Sequence, residues 1–248
     1  MKTLIWDIET APTKAFVWGL WKNNVGLNQI VEPGRILCWA AKWLGEDEPV
    51  YYSNEWSDGQ DRMIRELHDL LSEADANITY NGDHFDLPVL NSSFLKLGLA
   101  PHAESKSIDL YQVVKRRFRM LSNRLDYVCS FLGLEGKHET GGFQLWVDVL
   151  DGVAEAQEKF QDYNVNDVVI LEALYERLRP WIRNPPQAGH FVVGDHVCPS
   201  CGSPHVQRRG VHRTKVFEYQ RYQCVECGAW SRERLRDKTG NVNNLVSV

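Results

Sequence analysis

Apolar and polar positions alternate in a way that marks the first strand at once. The run Thr3-Leu-Ile-Trp-Asp-Ile-Glu-Thr10 is apolar except for two carboxylates, Asp7 and Glu9, and predicts a buried strand over 3–8. Side chains two apart in a strand share a face, so Asp7 and Glu9 project together. Arg35–Leu44 predicts a second strand, with Val50–Ser53 as its partner across a turn at Gly45–Pro49. Met63, Ile64, Leu67, Leu70 and Leu71 recur at helical spacing and predict a helix over 59–73. Ala76–Tyr80 reads as a short strand. Phe85–Leu97 reads as a helix closed by Gly98, with Pro88 in its first turn, where a missing N–H costs little.

Ser107–Leu110 fits a short strand or a helix entry, and helices follow near 110–119 and 122–132, the second ending at Gly133. Gly136–Gly142 predicts a loop that lacks the Gly-Lys-Ser/Thr ending of a P-loop. Two further helices are expected over 151–160 and 163–179. Residues 11–34 are irregular, with Pro12, Gly19, Gly26, Pro33 and Gly34, yet carry Phe16, Trp18 and Trp21. Packing against the body is the favoured reading of these rings; a surface for stacking bases is the other. Strands first, then helices mixed with a further strand, predict a mixed-sheet α/β domain over 1–182. Pro180 and Pro185-Pro186 close it and open a linker, 183–195, ahead of a small segment, 196–238, and a tail, 239–248.

Composition sharpens this division. A chain of 248 residues has room for one full-sized domain and a small one. No stretch approaches the roughly 20 apolar residues of a membrane helix, and Asp7 and Glu9 interrupt what would be a signal-peptide core. The expectation is a cytoplasmic, reducing location without a membrane partner. The net charge of -5 is uneven: residues 198–238 hold nine Lys/Arg against four Asp/Glu, and the remainder 19 against 29. A basic segment on an acidic body suggests that the segment meets a polyanion.

Within that segment, Cys198-Pro-Ser-Cys201 and Cys224-Val-Glu-Cys227 are separated by 22 residues, and each pair is followed by a glycine, Gly202 or Gly228. Four thiolates at this spacing suit a closed tetrahedral Zn²⁺ site resembling a zinc ribbon, whose metal would supply the folding energy of a segment too short for its own core. Two disulfides are disfavoured by a reducing compartment, and iron in a rubredoxin-like site is a minor alternative. Arg208, Arg209, His212, Arg213, Lys215, Tyr219, Arg221 and Tyr222 lie between the pairs. Basic residues interleaved with aromatics suit phosphate contacts and base stacking; solvated strands of a ribbon are the plainer reading. Cys38 and Cys129 stand apart and read as buried free thiols.

Adjacent anions repel and lose hydration, so Asp7 and Glu9 call for a cation, and hard oxygens suit Mg²⁺ or Mn²⁺. Solvated acids at a strand end are the alternative. Asp86 opens a helix after Tyr80-Asn-Gly-Asp-His-Phe, where helix capping by Asp83 or Asp86 would also explain it. Tyr163 and Asp167, four apart, share a helical face with Ile170, Leu171 and Leu174 nearby. Buried there they need partners; otherwise they form an exposed pair.

Asp-x-Glu on the first strand, Asn-x-x-x-Phe-Asp before a helix and Tyr-x-x-x-Asp on a late helix together resemble the DEDD superfamily of 3′→5′ exonucleases, in its Tyr-type branch. Residues 78–90 and 125–137 are similar to proofreading exonuclease domains of family-B DNA polymerases. The likeness covers 1–182, with no polymerase domain following, so the exonuclease is expected to stand alone. It implies a ribonuclease H-like fold in which Asp7, Glu9 and Asp167 hold one Mg²⁺ or Mn²⁺. Asp7 would reach a second ion, which Asp86 helps to hold. Tyr163 would hydrogen-bond the attacking water; with a reference pKa near 10 it would orient that water. Asn81 and Phe85 would line a terminal-nucleotide pocket, against core packing for Phe85. Lys137 is a candidate phosphate contact or support for the acidic site, against a solvated lysine; His84 reads as a surface histidine and Asp83 as no ligand.

The implied activity is hydrolysis at nucleic-acid 3′ ends, of DNA more than RNA, with the segment carrying Arg208, Arg209, Arg213, Lys215 and Arg221 holding the strand. The implied partners are single-stranded or 3′-ended nucleic acid and a replication or repair protein. An RNA exonuclease, a structure-selective endonuclease and an inert zinc-ribbon adaptor are the competing readings.

Overall fold

Strand β1 (Thr3–Thr10) lies in the middle of a five-stranded sheet, and its alternation sets the two sides of the body. In a computed structural model of the protein, the described residues are 1–47, 49–134, 142–183, 185, 189, 192, 196–214 and 217–234. Lys137, Lys215, the tail 239–248, most of the linker and nearly all of the Gly136–Gly142 segment lie outside them. Two short strands, β2 (Lys14–Ala15) and β3 (Ile30–Glu32), pair with each other. The main sheet continues with β4 (Ile36–Trp43) and β5 (Tyr51–Asn54), followed by helix α1 (Gln60–Glu73). Then come β6 (Ala76–Thr79), α2 (Asp86–Lys96), β7 (Lys106–Asp109), α3 (Leu110–Arg117) and α4 (Leu125–Leu132).

The strand order is β5-β4-β1-β6-β7, with β1 antiparallel to β4 and parallel to β6. On one face, Leu4, Trp6 and Ile8 pack with Met63, Ile64, Leu67 and Leu71 of α1 and Leu90 and Phe94 of α2. Trp39 anchors α1 by donating its indole N–H to the Met63 carbonyl, 2.7 Å. On the other face, Leu37 and Cys38 of β4 pack with Leu145, Val149, Ala156 and Phe160. Those residues belong to α5 (Gln144–Leu150) and α6 (Ala154–Leu178). The body is thus a mixed α/β sheet with helices on both faces.

Chain packing divides the protein into two units, Lys2–Leu174 and a second running from Tyr175 onward with Met1. The second unit holds a three-stranded antiparallel sheet, β8 (Val206–Arg213), β9 (Glu218–Cys224) and β10 (Trp230–Arg232), in the order β10-β9-β8.

Three expectations need correction. The helices expected over 151–160 and 163–179 are one helix, α6, because Gln161 and Asp162 offer no break. Residues 144–150, left without an element, form α5. The rings of residues 11–34 do not pack on the body: Phe16 is 78% and Trp18 102% exposed, and Trp21 is also exposed. That segment is instead ordered by hydrogen bonds, with Phe16 N–H on the Gln29 carbonyl and the Gln29 side-chain amide on the Phe16 carbonyl. Among the described residues no helix is long and apolar enough to cross a membrane.

Candidate metal centres

Because even-numbered residues of β1 fill the core under α1 and α2, Asp7 and Glu9 are turned to the face covered by α6. There Asp7, Glu9 and Asp167 each place a carboxylate oxygen so that all three lie within 4.8 Å of one another. Residues from the two ends of the body therefore converge. Asp167 is buried, whereas Asp7 and Glu9 are half-buried. Three anions at this separation repel strongly in a part-buried site, and one hard divalent cation between them fits the donor set.

Asp7 is held by a neighbour that the sequence reading missed. Asn164, fully buried, donates its amide N–H to Asp7 Oδ2 at 2.9 Å, and the Cys38 thiol lies 3.6 Å from Asn164 Oδ1. Cys38 is directly opposite Glu9 in the β1–β4 register. Burial, followed by the nearby Glu9 carboxylate, pushes its pKa well above the ordinary thiol value, so it stays a neutral S–H donor. The expected free, buried thiols at Cys38 and Cys129 are both present.

Asp86, the first residue of α2, is buried but is not one of the three clustered acids. Burial pushes its carboxyl up from 3.8 to about 6, opposed by its own backbone N–H and that of Ile8 and reinforced by Asp109. The Ile8 contact sets Asp86 beside the strand segment that carries Asp7 and Glu9. Asn81 adopts a left-handed backbone, φ 67°, a conformation that asparagine tolerates, and donates its N–H to Asp109 Oδ1 at 2.9 Å. Gly82 follows it for a steric reason: a Cβ there would sit 2.4 Å from Thr79 Oγ1. Phe85, expected in a nucleotide pocket or in the core, is exposed, as are Asp83 and His84.

Tyr163 is buried, and its ring meets Trp146 edge-on at 6.2 Å. Trp146 also lines an open cleft of about 450 Å³ with Thr10, Pro12, Gly142 and Phe143, so one wall of the cleft comes from the end of β1.

The four cysteines form the second cluster, with Sγ atoms also within 4.8 Å. Cys198 and Cys227 are 3.6 Å apart and Cys201 and Cys224 3.7 Å. A tetrahedral zinc with Zn–S bonds of about 2.3 Å spaces its sulfurs by about 3.8 Å, whereas a disulfide needs about 2.05 Å. The spacing therefore fits zinc. Two matching turns present the thiols: Gly202 N–H bonds the Cys198 carbonyl and Gly228 N–H the Cys224 carbonyl, with Gly202 and Gly228 at φ 77° and 70°. Burial opposes ionisation of Cys224, but backbone N–H groups of Cys227 and Glu226 outweigh it and lower its pKa. Pro180 packs against Gly228, 3.5 Å from where its Cβ would be.

The three-stranded sheet sorts the expected basic residues. Arg208 pairs with Tyr222 in register, so it and Arg221 face opposite sides. Arg209 uses its side chain on Gln207 and its carbonyl to receive Arg221 Nε. Arg213 is ion-paired with Glu218. Two further residues, Trp230 and Arg232, were not singled out by sequence: Arg221 lies over the Trp230 ring at 4.6 Å, and Arg232 over the Tyr219 ring at 4.0 Å.

A mixed sheet bearing an acidic cluster opposite a long helix is the architecture of a recognised class. The RNase H superfamily profile matches residues 32–179. The chain belongs to the RNase H superfamily. The matched segment contains Asp86, Tyr163 and Asp167 and begins after β1. No curated protein matches the sequence. Among solved structures, the fold is similar to that of the family B DNA polymerase from the hyperthermophilic archaeon Pyrobaculum calidifontis, with a TM-score of 0.54 and 18% identity. That match covers 72% of this chain and 24% of the polymerase chain, so the protein spans about a quarter of the polymerase's length.

Proposed function

We propose that the protein is a metal-dependent 3′→5′ exonuclease that removes nucleotides from nucleic-acid 3′ ends, with DNA preferred over RNA. The observation that carries this reading is the meeting of Asp7, Glu9 and Asp167, drawn from opposite ends of the body. The Tyr-x-x-x-Asp spacing of Tyr163 and Asp167 on α6, membership of the RNase H superfamily and the fold likeness to a DNA polymerase support it.

Asp7, Glu9 and Asp167 would hold one Mg²⁺ or Mn²⁺, and Asp7 with Asp86 a second. Bound there, such ions supply a more acidic water and neutralise the charge of the leaving oxygen. The chain's own groups do the positioning. Asn164 fixes the orientation of Asp7, and Tyr163 orients the water. Water oxygen forms the new bond to phosphorus, and the bond to the 3′ oxygen of the preceding sugar breaks. The proton released by water passes through solvent to that oxygen, giving a nucleoside 5′-monophosphate. The Cys198, Cys201, Cys224 and Cys227 segment holds a structural Zn²⁺ in this reading, and its Arg208, Arg209, Arg213, Lys215 and Arg221 bind the strand.

The test is digestion of matched single- and double-stranded DNA and RNA, labelled at either end, with Mg²⁺ or Mn²⁺. Mononucleotides should be released from 3′-labelled DNA at once, and Asp7→Ala or Asp167→Ala should abolish release while leaving the circular dichroism spectrum intact. Full activity in the purified double variant, or cleavage of circular DNA as fast as linear, would refute the reading.

A further inference from the structure

Outside the ribbon the protein is acidic, yet one segment of the body reverses that sign. Lys115, Arg116, Arg117, Arg119 and Arg124 fall within ten residues that contain no Asp or Glu. Lys115, Arg116 and Arg117 occupy the last turn of α3, where cations favour the helix dipole. That explanation does not extend to Arg119 and Arg124, which lie beyond the helix. Lys115, Arg116, Arg119 and Arg124 are all exposed. Among the described residues neither Arg116 nor Arg119 has an ion-pair partner, and Arg124 meets Asp126 only at 3.6 Å on the surface.

Apolar surface accompanies the charge. Leu121 is 95% exposed, and Phe131 of α4 is exposed with its ring stacked on Tyr127, centroids 6.4 Å apart and planes at 23°. Cations beside an open ring suit a single strand, whose phosphates need charge and whose unpaired bases need a π-face. The segment is also tied to the candidate site. Tyr80 donates its hydroxyl to the Asn123 carbonyl at 2.6 Å and packs edge-on against Tyr111, over which Lys115 lies. Tyr80 begins the stretch that ends at Asp86.

We propose that the α3–α4 connection is a binding strip for single-stranded nucleic acid, with Lys115, Arg116, Arg119 and Arg124 on phosphates and the Tyr127–Phe131 pair under a base. It rests on the nuclease reading for the identity of its polyanion.

The test compares the protein with a variant carrying Arg116→Gln, Arg119→Gln and Arg124→Gln. Anisotropy of a fluorescein-labelled 20-nucleotide oligothymidylate, without added divalent ion, gives the dissociation constant across a salt series. Each lost phosphate contact removes about 0.7 from the log–log salt slope for a single strand, so the slope should fall by about 2 and affinity at least tenfold. Hydrolysis of the p-nitrophenyl ester of thymidine 5′-monophosphate with Mn²⁺, a substrate too small to span the strip, should be equal in both proteins. Unchanged affinity and slope overturn the proposal, as does a loss confined to phosphatidylserine vesicles. Should the variant also lose ester hydrolysis, the Arg→Lys version at the same positions decides: a retained slope supports the strip and a lost one ends it. A wild-type protein that binds as expected but hydrolyses no ester sinks the nuclease reading and leaves the strip standing.

Discussion

Replacing Asn164 by alanine should separate metal binding from folding. Its amide is the fully buried donor to Asp7 Oδ2, at 2.9 Å, and its carbonyl oxygen faces the Cys38 thiol. A hydrogen bond to a charged acceptor contributes about 1.5–3 kcal/mol. With about 1.4 kcal/mol per tenfold, the loss corresponds to roughly 10- to 100-fold in affinity if all of it falls on the metal-bound form, which matches the usual cost of removing a residue that orients a ligand. The assay is calorimetric titration with Mn²⁺, with thermal unfolding followed in parallel. Asn164→Ala should weaken Mn²⁺ binding by that factor, and Asn164→Asp should weaken it differently, because a fourth carboxylate replaces the donor with charge. Cys38→Ala should cost far less, since the thiol is a weak donor and its hydrogen bond goes to Asn164. A folded Asn164→Ala protein that binds Mn²⁺ with the wild-type constant would refute the orienting role.

Tyr163→Phe should slow single-turnover cleavage without ending it, and an unchanged rate would remove the water-orienting role. Asp86 predicts a pH effect on the metal-free protein. Its folded pKa, about 6, exceeds the ordinary 3.8, so the native state holds this proton more tightly than the unfolded one, and stability is lost as pH rises from near 3.8 to 6. Asp86→Asn should therefore unfold later than wild type at pH 7, by up to about 3 kcal/mol, and equally at pH 3; an earlier unfolding of the variant at pH 7 would contradict the sign. If the proposed Zn²⁺ holds the four cysteines, a chelator should expose four titratable thiols and erase the β8–β10 amide signals; amide signals that survive chelation would refute it.

Much of the body could be read along the chain because its signals are local. The apolar run at β1, the β4–β5 hairpin and the helical spacing of Met63, Ile64, Leu67 and Leu71 are each decided within about twenty residues. The cysteine pairs are equally plain, since two Cys-x-x-Cys knuckles are visible in the sequence itself and come together as one cluster. What escaped depends on distant partners. Asn164 sits beside Tyr163 in sequence, but its role is defined by Asp7, 157 residues away. Trp230 and Arg232 matter only once β10 is laid against β9. Hydrophobicity alone predicts that the rings at Phe16, Trp18 and Trp21 pack, whereas a two-residue strand such as β2 offers little surface to cover them. No Gly or Pro interrupts 154–178, and that absence would have been enough to join the two predicted helices.

Strand β1 performs two jobs through one alternation. Leu4, Trp6 and Ile8 seal one side while Asp7 and Glu9 serve the other. A shift of its pairing by a single residue would exchange the two sets, driving both acids into a dry interior and turning Trp6 toward Asp167. A slip of this strand would therefore remove the apolar seal and the acidic cluster in the same step, so the packing of the body and the geometry of the carboxylates stand or fall together.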